Sequence, residues 1–222
     1  MRIIGVADIH NSKHKVKIIN NVISEYSPDV VVIAGDLTTF GPSENARVII
    51  DEINAEKILV VPGNADPPEV LEHIKASKGI NIHKKEVMIK RMKFVGFGGS
   101  PITPFGCPLE FPEDKIREEL SKLNVDRNTI FVTHSPPYGV LDRTVLGNHV
   151  GSTSIREYVE ERRPFLHIFG HIHEAVGVER IDEMTFVNVS IGRYLQVAII
   201  DIDEEKDIEI KFVSGEKSNI IK

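Results

Sequence analysis

The stretches VVVIA (residues 30–34), ILVV (58–61) and TIFVT (129–133) leave almost no polar position on either face of an extended chain. Successive side chains of a strand point to opposite faces, so an uninterrupted apolar run needs cover on both sides. Strands of this kind sit inside a largely parallel sheet, flanked by helices or by a second sheet. The residues at the carboxyl end of each buried run are equally constraining. RIIGVA runs into Asp8 and His10, VVVIAG into Asp36, ILVVPG into Asn64, TIFVT into His134, and FLHIFG into His171 and His173. Ligands of open α/β sheets bind beyond the carboxyl ends of the strands. Five strands therefore deliver two Asp, one Asn and four His to one edge.

The remaining periodicity fills in the architecture. It predicts strands over residues 2–7, 29–34, 57–61, 80–82, 86–89, 94–97, 129–133 and 165–169, with helices over 12–26, 42–53, 67–76, 112–123 and 152–162. Beyond residue 175 the pattern turns to strands at 176–181, 185–189, 194–201 and 207–213, an antiparallel finish. Neither a repeat nor a low-complexity linker interrupts the chain, so residues 1–222 read as a single domain. Two stacked sheets with helices outside accommodate this mixture.

Composition narrows the class. The 222 residues are 41% hydrophobic, enough for a sizeable core, and the formal net charge is -6. An acidic chain with only short basic clusters is not built to neutralise a run of phosphates, so nucleic acid is not the expected partner. Cys107 is the only cysteine, which rules out an internal disulfide and fits a reducing, cytoplasmic setting. The opening MRIIGVADIH reads as a strand and not a signal peptide, and no apolar run approaches the roughly 18 residues a membrane span needs. The low glutamine and cysteine content, with abundant Ile, Lys and Glu, resembles thermophile usage.

Four imidazoles with oxygen donors suit divalent first-row metals better than Ca²⁺ or Mg²⁺. Seven side chains exceed what one catalytic metal takes while keeping positions open for water, so two metals sharing a carboxylate fit better. The motifs D-x-H (Asp8, His10), G-D (Gly35, Asp36), G-N (Gly63, Asn64), T-H (Thr133, His134) and G-H-x-H (Gly170, His171, His173) occur in this order. The series resembles the calcineurin-like metallophosphoesterases from Asp8 to about Gly192. The stretches THSPPYGVLD and HVGS are similar to the small single-domain phosphoesterases of bacteria and archaea.

The resemblance implies an αββα sandwich and a binuclear centre of two divalent ions, Mn²⁺ first, with Fe, Zn, Ni or Co as alternatives. Asp8, His10, Asp36 and His173 would hold one ion. Asp36, Asn64, His134 and His171 would hold the other, with Asp36 bridging. It further implies hydrolysis of a small phosphate monoester or diester, such as a cyclic nucleotide, by a hydroxide held between the two ions, without a protein nucleophile. A scaffold of the same fold and a nuclease are the competing readings. Seven filled ligand positions count against the first, and the lack of a basic channel against the second. A homodimer is compatible with the sequence.

One departure stands out. Many relatives place a histidine after G-N, where it protonates the leaving oxygen or contacts phosphate, whereas here positions 63–66 read G-N-A-D, with Ala65. Asp66, His149 and His83 are the candidates to replace it. His149, in GNHVGS, is the one expected to face the substrate, together with Asn64. Asp66 is expected to cap the helix opening at Pro67. His14 and His83 read as surface residues, His73 as part of a polar helix, His167 as a packed or supporting histidine, and Cys107 as a packed loop residue. Arg193 reads as a surface salt-bridge residue first and a phosphate contact second. The proline-rich segment 100–112 is expected to be an irregular loop that either walls the pocket or packs on the surface or against a second subunit.

Overall fold

The computed structural model describes residues 1–192 and 194–215. Arg193, read as a surface salt-bridge residue or a phosphate contact, and the last seven residues of the single-domain expectation lie outside them.

Fourteen strands and five helices are described. The first sheet contains β1 (Arg2–Val6), β2 (Val30–Ala34), β3 (Ile58–Val61), β4 (Ile80–Asn81), β13 (Gln196–Ile202) and β14 (Ile208–Ser214), in the order β14-β13-β1-β2-β3-β4. The second contains β5 (Glu86–Ile89), β6 (Met92–Phe97), β9 (Thr129–Thr133), β10 (Leu166–Phe169), β11 (Gly177–Ile181) and β12 (Met184–Asn188), in the order β11-β12-β10-β9-β6-β5. The helices are α1 (Lys13–Tyr26), α2 (Asn45–Glu52), α3 (Val70–Lys75), α4 (Glu113–Leu120) and α5 (Thr153–Arg162).

Alternation along each strand sorts the apolar side chains into three layers. Ile3, Val32 and Leu59 of the first sheet meet Phe94, Ile130, Ile168 and Val187 of the second. The other faces of the same strands turn outward. Ile4, Val31, Ile33 and Val60 pack under Val16, Ile19, Val22, Ile50 and Ile74 of α1–α3. Val95, Phe131, Phe169 and Phe186 pack under Ile116, Leu120, Ile155 and Val159 of α4 and α5. Each fully buried Val, Leu, Ile or Phe contributes about 1.5–3 kcal/mol, which is why runs without a polar position are tolerated here. The result is the expected αββα order.

Three local expectations are corrected. The finish is not wholly antiparallel, because β12 pairs parallel with β10 before β13 crosses back, antiparallel to β1. The segment 100–112 is not wholly irregular. Its ends form a short parallel ladder between β7 (Ser100–Pro101) and β8 (Glu110–Phe111). Helix α3 starts at Val70 and not at Pro67, and its N-cap, Glu69, makes no side-chain capping bond. Two consecutive prolines supply no N–H there, and the Asp66 carboxylate is drawn instead to amides of the turns after β2 and β3.

Packed sheets normally stand about 10 Å apart. At the carboxyl ends of β1 and β3 they are pinned together. Ala7 N donates to Val189 O (3.1 Å), Ile191 N to Ala7 O (3.0 Å), and Gly99 N to Pro62 O (3.0 Å). This closure brings strand ends of both sheets to one place. Among the described residues no helix is long and apolar enough to cross a membrane.

Candidate metal centre

The turns after the strands are unusual in their backbone. Asp8, His10, Asn11, Asp36 and His171 all have positive φ, between 53° and 72°. The left-handed region costs a non-glycine residue roughly 1–2 kcal/mol, so these turns need external support. They have it. Asp8 N donates to Gly35 O (3.0 Å), His10 N to Asp36 O (2.9 Å) and Asn11 N to Leu37 O (2.9 Å), strapping the β1 turn to the β2 turn. Asp66 completes the scaffold. It is fully buried, and its carboxylate accepts from Leu37 N (3.2 Å), Thr38 N (2.7 Å), Thr38 Oγ1 (2.9 Å) and Gly63 N (2.8 Å). The expected helix cap is therefore a clamp between the turns of Asp36 and Asn64. The glycine of G-N answers to the same crowding: a Cβ on Gly63 would lie 2.0 Å from Asp36 Oδ1.

Upon this frame the side chains converge. His173 Nε2 lies 3.3 Å from Asp8 Oδ1, and His10 Nε2 lies 3.4 Å from His173 Nε2 and 3.6 Å from Asp36 Oδ2. On the other side of Asp36, His134 Nε2 lies 3.5 Å from Oδ1 and 2.9 Å from Asn64 Oδ1. The two oxygens of one carboxylate thus face two different imidazoles. Asp8, His10 and His173 form one group of atoms within 4.8 Å of one another, and Asp8, Asp36 and His134 form another. His171 stands edge-on to His134, with ring centroids 4.9 Å apart, and its backbone N–H donates to Asp8 Oδ2 (3.1 Å).

Backbone carbonyls choose the tautomers. His134 Nδ1 meets Ala34 O at 2.8 Å, and His10 Nδ1 meets Thr38 O at 3.3 Å with Thr39 Oγ1 at 3.1 Å. A carbonyl only accepts, so Nδ1 carries the hydrogen and Nε2 turns its lone pair inward. Asp8 Oδ1 is buried without a hydrogen-bond partner. Lone pairs of two imidazoles, a carboxamide and two carboxylates thus face one space with few protons between them. Such a donor set fits divalent cations.

The charges tell the same story. Burial, then the neighbouring Asp8 and Asp66 carboxylates, hold the Asp36 carboxyl well above its ordinary range. Burial also opposes the Asp8 charge, but the His173 imidazole 3.3 Å away and the other imidazoles around it outweigh burial and keep that carboxyl low. Burial pushes His171 down to about 3 and lowers His10 and His134 as well. His173 is raised, chiefly by the Asp8 carboxylate beside it. The lowered His10, His134 and His171 favour the neutral imidazoles that ligation requires, whereas Asp36 and His173 are pushed toward their protonated forms and would give up those protons to a cation.

The pattern of the calcineurin-like phosphoesterases matches residues 1–175 of the 222. The chain belongs to that family. The Methanocaldococcus jannaschii protein MJ1162 is 34% identical over 206 residues, covering 87% of this chain and 90% of its own. Human metallophosphoesterase domain-containing protein 1 is 28% identical over 197 residues, which cover 73% of this chain and 60% of that one. Among solved structures, a dimetal phosphatase of Danio rerio shares the fold at a TM-score of 0.64 and 10% identity, covering 98% of this chain and 97% of its own. Membership implies a hydrolase working with divalent metal ions, and the family's fold is the one observed.

Other expected residues of this phosphoesterase separate. His149 is partly exposed, and its Nδ1 lies 2.5 Å from Asp142 Oδ1. His83 accepts at Nδ1 from Gly98 N (2.8 Å) beside the Phe97 ring, so it is partly buried and not a surface residue. His167 is fully buried among Phe131, Phe169 and Phe186. His14 is exposed, and His73 lies on α3. Cys107 is partly buried near Thr103.

Sequence reasoning missed Lys15, whose Nζ donates to Asp8 O at 2.5 Å, and Thr38 and Thr39, which hold His10. It also missed Asp142. No local motif marks them, since each contact is made by packing.

Proposed function

We propose that the protein hydrolyses a small phosphate monoester or diester with two divalent cations, held by the seven strand-end side chains. The observation that carries this reading is Asp36, whose two oxygens face His10 on one side and His134 on the other. Asp8, His10 and His173 would form one half of the centre, and Asn64, His134 and His171 the other. Mn²⁺ is the proposed ion. When bound, the cations supply Lewis acidity toward water and toward the phosphoryl oxygens.

The protein's own share is preorganisation. Ala34 O and Thr38 O hold two imidazoles with their lone pairs inward, so no rotation precedes binding. Asn64 adds a neutral oxygen without further charge. The sheets bury Asp8 and Asp36 from behind, while His10, His171 and His173 remain partly exposed on the open side. Lys15, half-buried against Asp8, places a positive charge where an anionic ester approaches. Nucleic acid is not proposed as a partner, given the net charge of -6.

Protein reconstituted with Mn²⁺ should hydrolyse at least one ester in a panel of mononucleotides, cyclic nucleotides and aryl phosphates, and a chelator should stop it. The reading falls if elemental analysis finds no transition metal in the reconstituted protein.

A further inference from the structure

An alcohol leaving a phosphate ester needs a proton, and Ala65 cannot donate one. Of the three residues that could replace the missing histidine, the structure removes two. Asp66 is fully buried, and its carboxylate already accepts four hydrogen bonds from the Asp36 and Asn64 turns. His83 is engaged by Gly98 N and lies beside Phe97. His149 remains, and its surroundings are built.

Asp142 is completely buried, an expensive position for a carboxylate unless its oxygens are satisfied. One oxygen accepts from Gly139 N and Gly151 N, each at 2.9 Å. The other is turned on His149 Nδ1, which it fixes as the protonated nitrogen. The ring is further held by Tyr138, centroids 5.5 Å apart. The side chain stays partly exposed, and no hydrogen bond among the described residues engages Nε2. A carboxylate that orients an imidazole while leaving Nε2 open is the arrangement of a general acid–base pair.

The dyad also hangs on the turns that carry three of the candidate ligands. Its segment begins four residues after His134. Asn188 Nδ2 donates to Leu141 O (3.4 Å) and to Ile172 O (2.9 Å), and Ile172 stands between His171 and His173. Val145 N donates to Glu174 Oε1 (2.8 Å), next to His173. The same segment exposes Tyr138, Val145, Leu146 and Val150, an apolar face for the body of an alcohol.

We propose that His149, held by Asp142, is the proton donor to the leaving oxygen; this rests on the phosphoesterase reading above. Water oxygen bonds to phosphorus as the bond from phosphorus to the alcohol oxygen breaks. The departing oxygen keeps the bonding pair and takes the Nε2 proton of the imidazolium. The attacking water releases one proton to solvent, from which the neutral imidazole is recharged.

The test compares wild type, His149→Gln and Asp142→Asn, each loaded with Mn²⁺, on 4-nitrophenyl phosphate and 2-phenylethyl phosphate. General acid catalysis is worth about 10²–10⁴-fold, and only where the leaving group needs a proton. His149→Gln should slow the alkyl ester about 10²-fold or more and the nitrophenyl ester by only a few-fold. Asp142→Asn should move the same way by less. Metal content should be unchanged in both variants. In the wild type, titration with phenylphosphonate should shift the His149 ring resonances. Equal loss on both esters, or no shift with phenylphosphonate, overturns the proposal. A wild type that binds metal but cleaves neither these two esters nor any ester of the nucleotide, cyclic-nucleotide and aryl phosphate panel overturns the phosphoesterase reading itself.

Discussion

Asp36 is asked to be two ligands at once while surrounded by carboxylates. In Asp36→Asn the charge that faces Asp8 and Asp66 disappears, so the metal-free protein should lose no stability. Metal binding should weaken at both positions. His10 touches only Oδ2, so His10→Ala should empty mainly one. Stoichiometry by elemental analysis after Mn²⁺ reconstitution and dialysis checks this: about two ions per chain for wild type, near one for His10→Ala and fewer for Asp36→Asn. Identical behaviour of the two variants would remove Asp36 from its bridging place. At this scale the sequence was informative wherever a polar residue ended a buried run. It misled at Asp66, because D-P-P-E looks like a helix start. The amides that claim Asp66 come from Leu37 and Thr38 in the turn after β2 and from Gly63, three residues back in its own turn. His149 could be singled out, but its partner Asp142 lay in a loop with no periodicity to place it.

At the scale of elements, two contacts make the frame sensitive to acid. Glu113, the first residue of α4, reaches the start of α5. Its carboxylate accepts from Ser152 Oγ, Thr153 N and Ser154 N, each at 2.9 Å. A negative charge there satisfies orphan amides and complements the helix dipole. Burial opposes the charge, yet those hydrogen bonds outweigh it and hold the carboxyl below its ordinary value. The stabilisation is thus complete above the ordinary glutamate range and lost as pH falls through the lowered folded value. Glu113→Gln should cost about 1 kcal/mol near neutrality, and the difference from wild type should shrink in urea titrations toward pH 4.

At the end of β9, Thr133 Oγ1 gives its one proton to Ser135 O (2.6 Å), so it must accept from His167 Nε2 of β10 at 2.9 Å. Nδ1 is left buried without a partner. Burial lowers His167 to about 3 from an ordinary 6.5. The unfolded chain therefore binds the extra proton between those values. Stability is full above about pH 6.5 and declines below it, by about 2 kcal/mol from this residue alone by pH 5. His167→Gln keeps a donor for Thr133 and should remove that part of the pH dependence. An unchanged slope of stability against pH would show that His167 does not contribute. Helix and strand identities were legible from periodicity. Boundaries such as the start of α3, and the parallel pairing of β12, depend on neighbours far along the chain and were not.

For the whole molecule, the decisive fact is that the centre lies across the seam between the sheets. Asp8, His10, Asp36 and Asn64 come from the first sheet, and His134, His171 and His173 from the second. Cations held there would join the two halves of the sandwich, and unfolding would have to release them. Ligand that binds only the folded state adds RT ln(1 + [L]/Kd), about 2.7 kcal/mol at a hundredfold excess over Kd. Two occupied positions would add about 5 kcal/mol, which for a chain of this size raises Tm by roughly 10–20 °C. Chelation should reverse the shift, and Tm should climb with the logarithm of free Mn²⁺. Asp36→Asn separates this from nonspecific ion effects, since its metal-free fold stays intact while both positions weaken. Its Tm should therefore respond far less to Mn²⁺ across the same range. A wild-type Tm indifferent to Mn²⁺, or an equal rise in Asp36→Asn, would mean that no cation spans the sheets, however well the lone pairs converge.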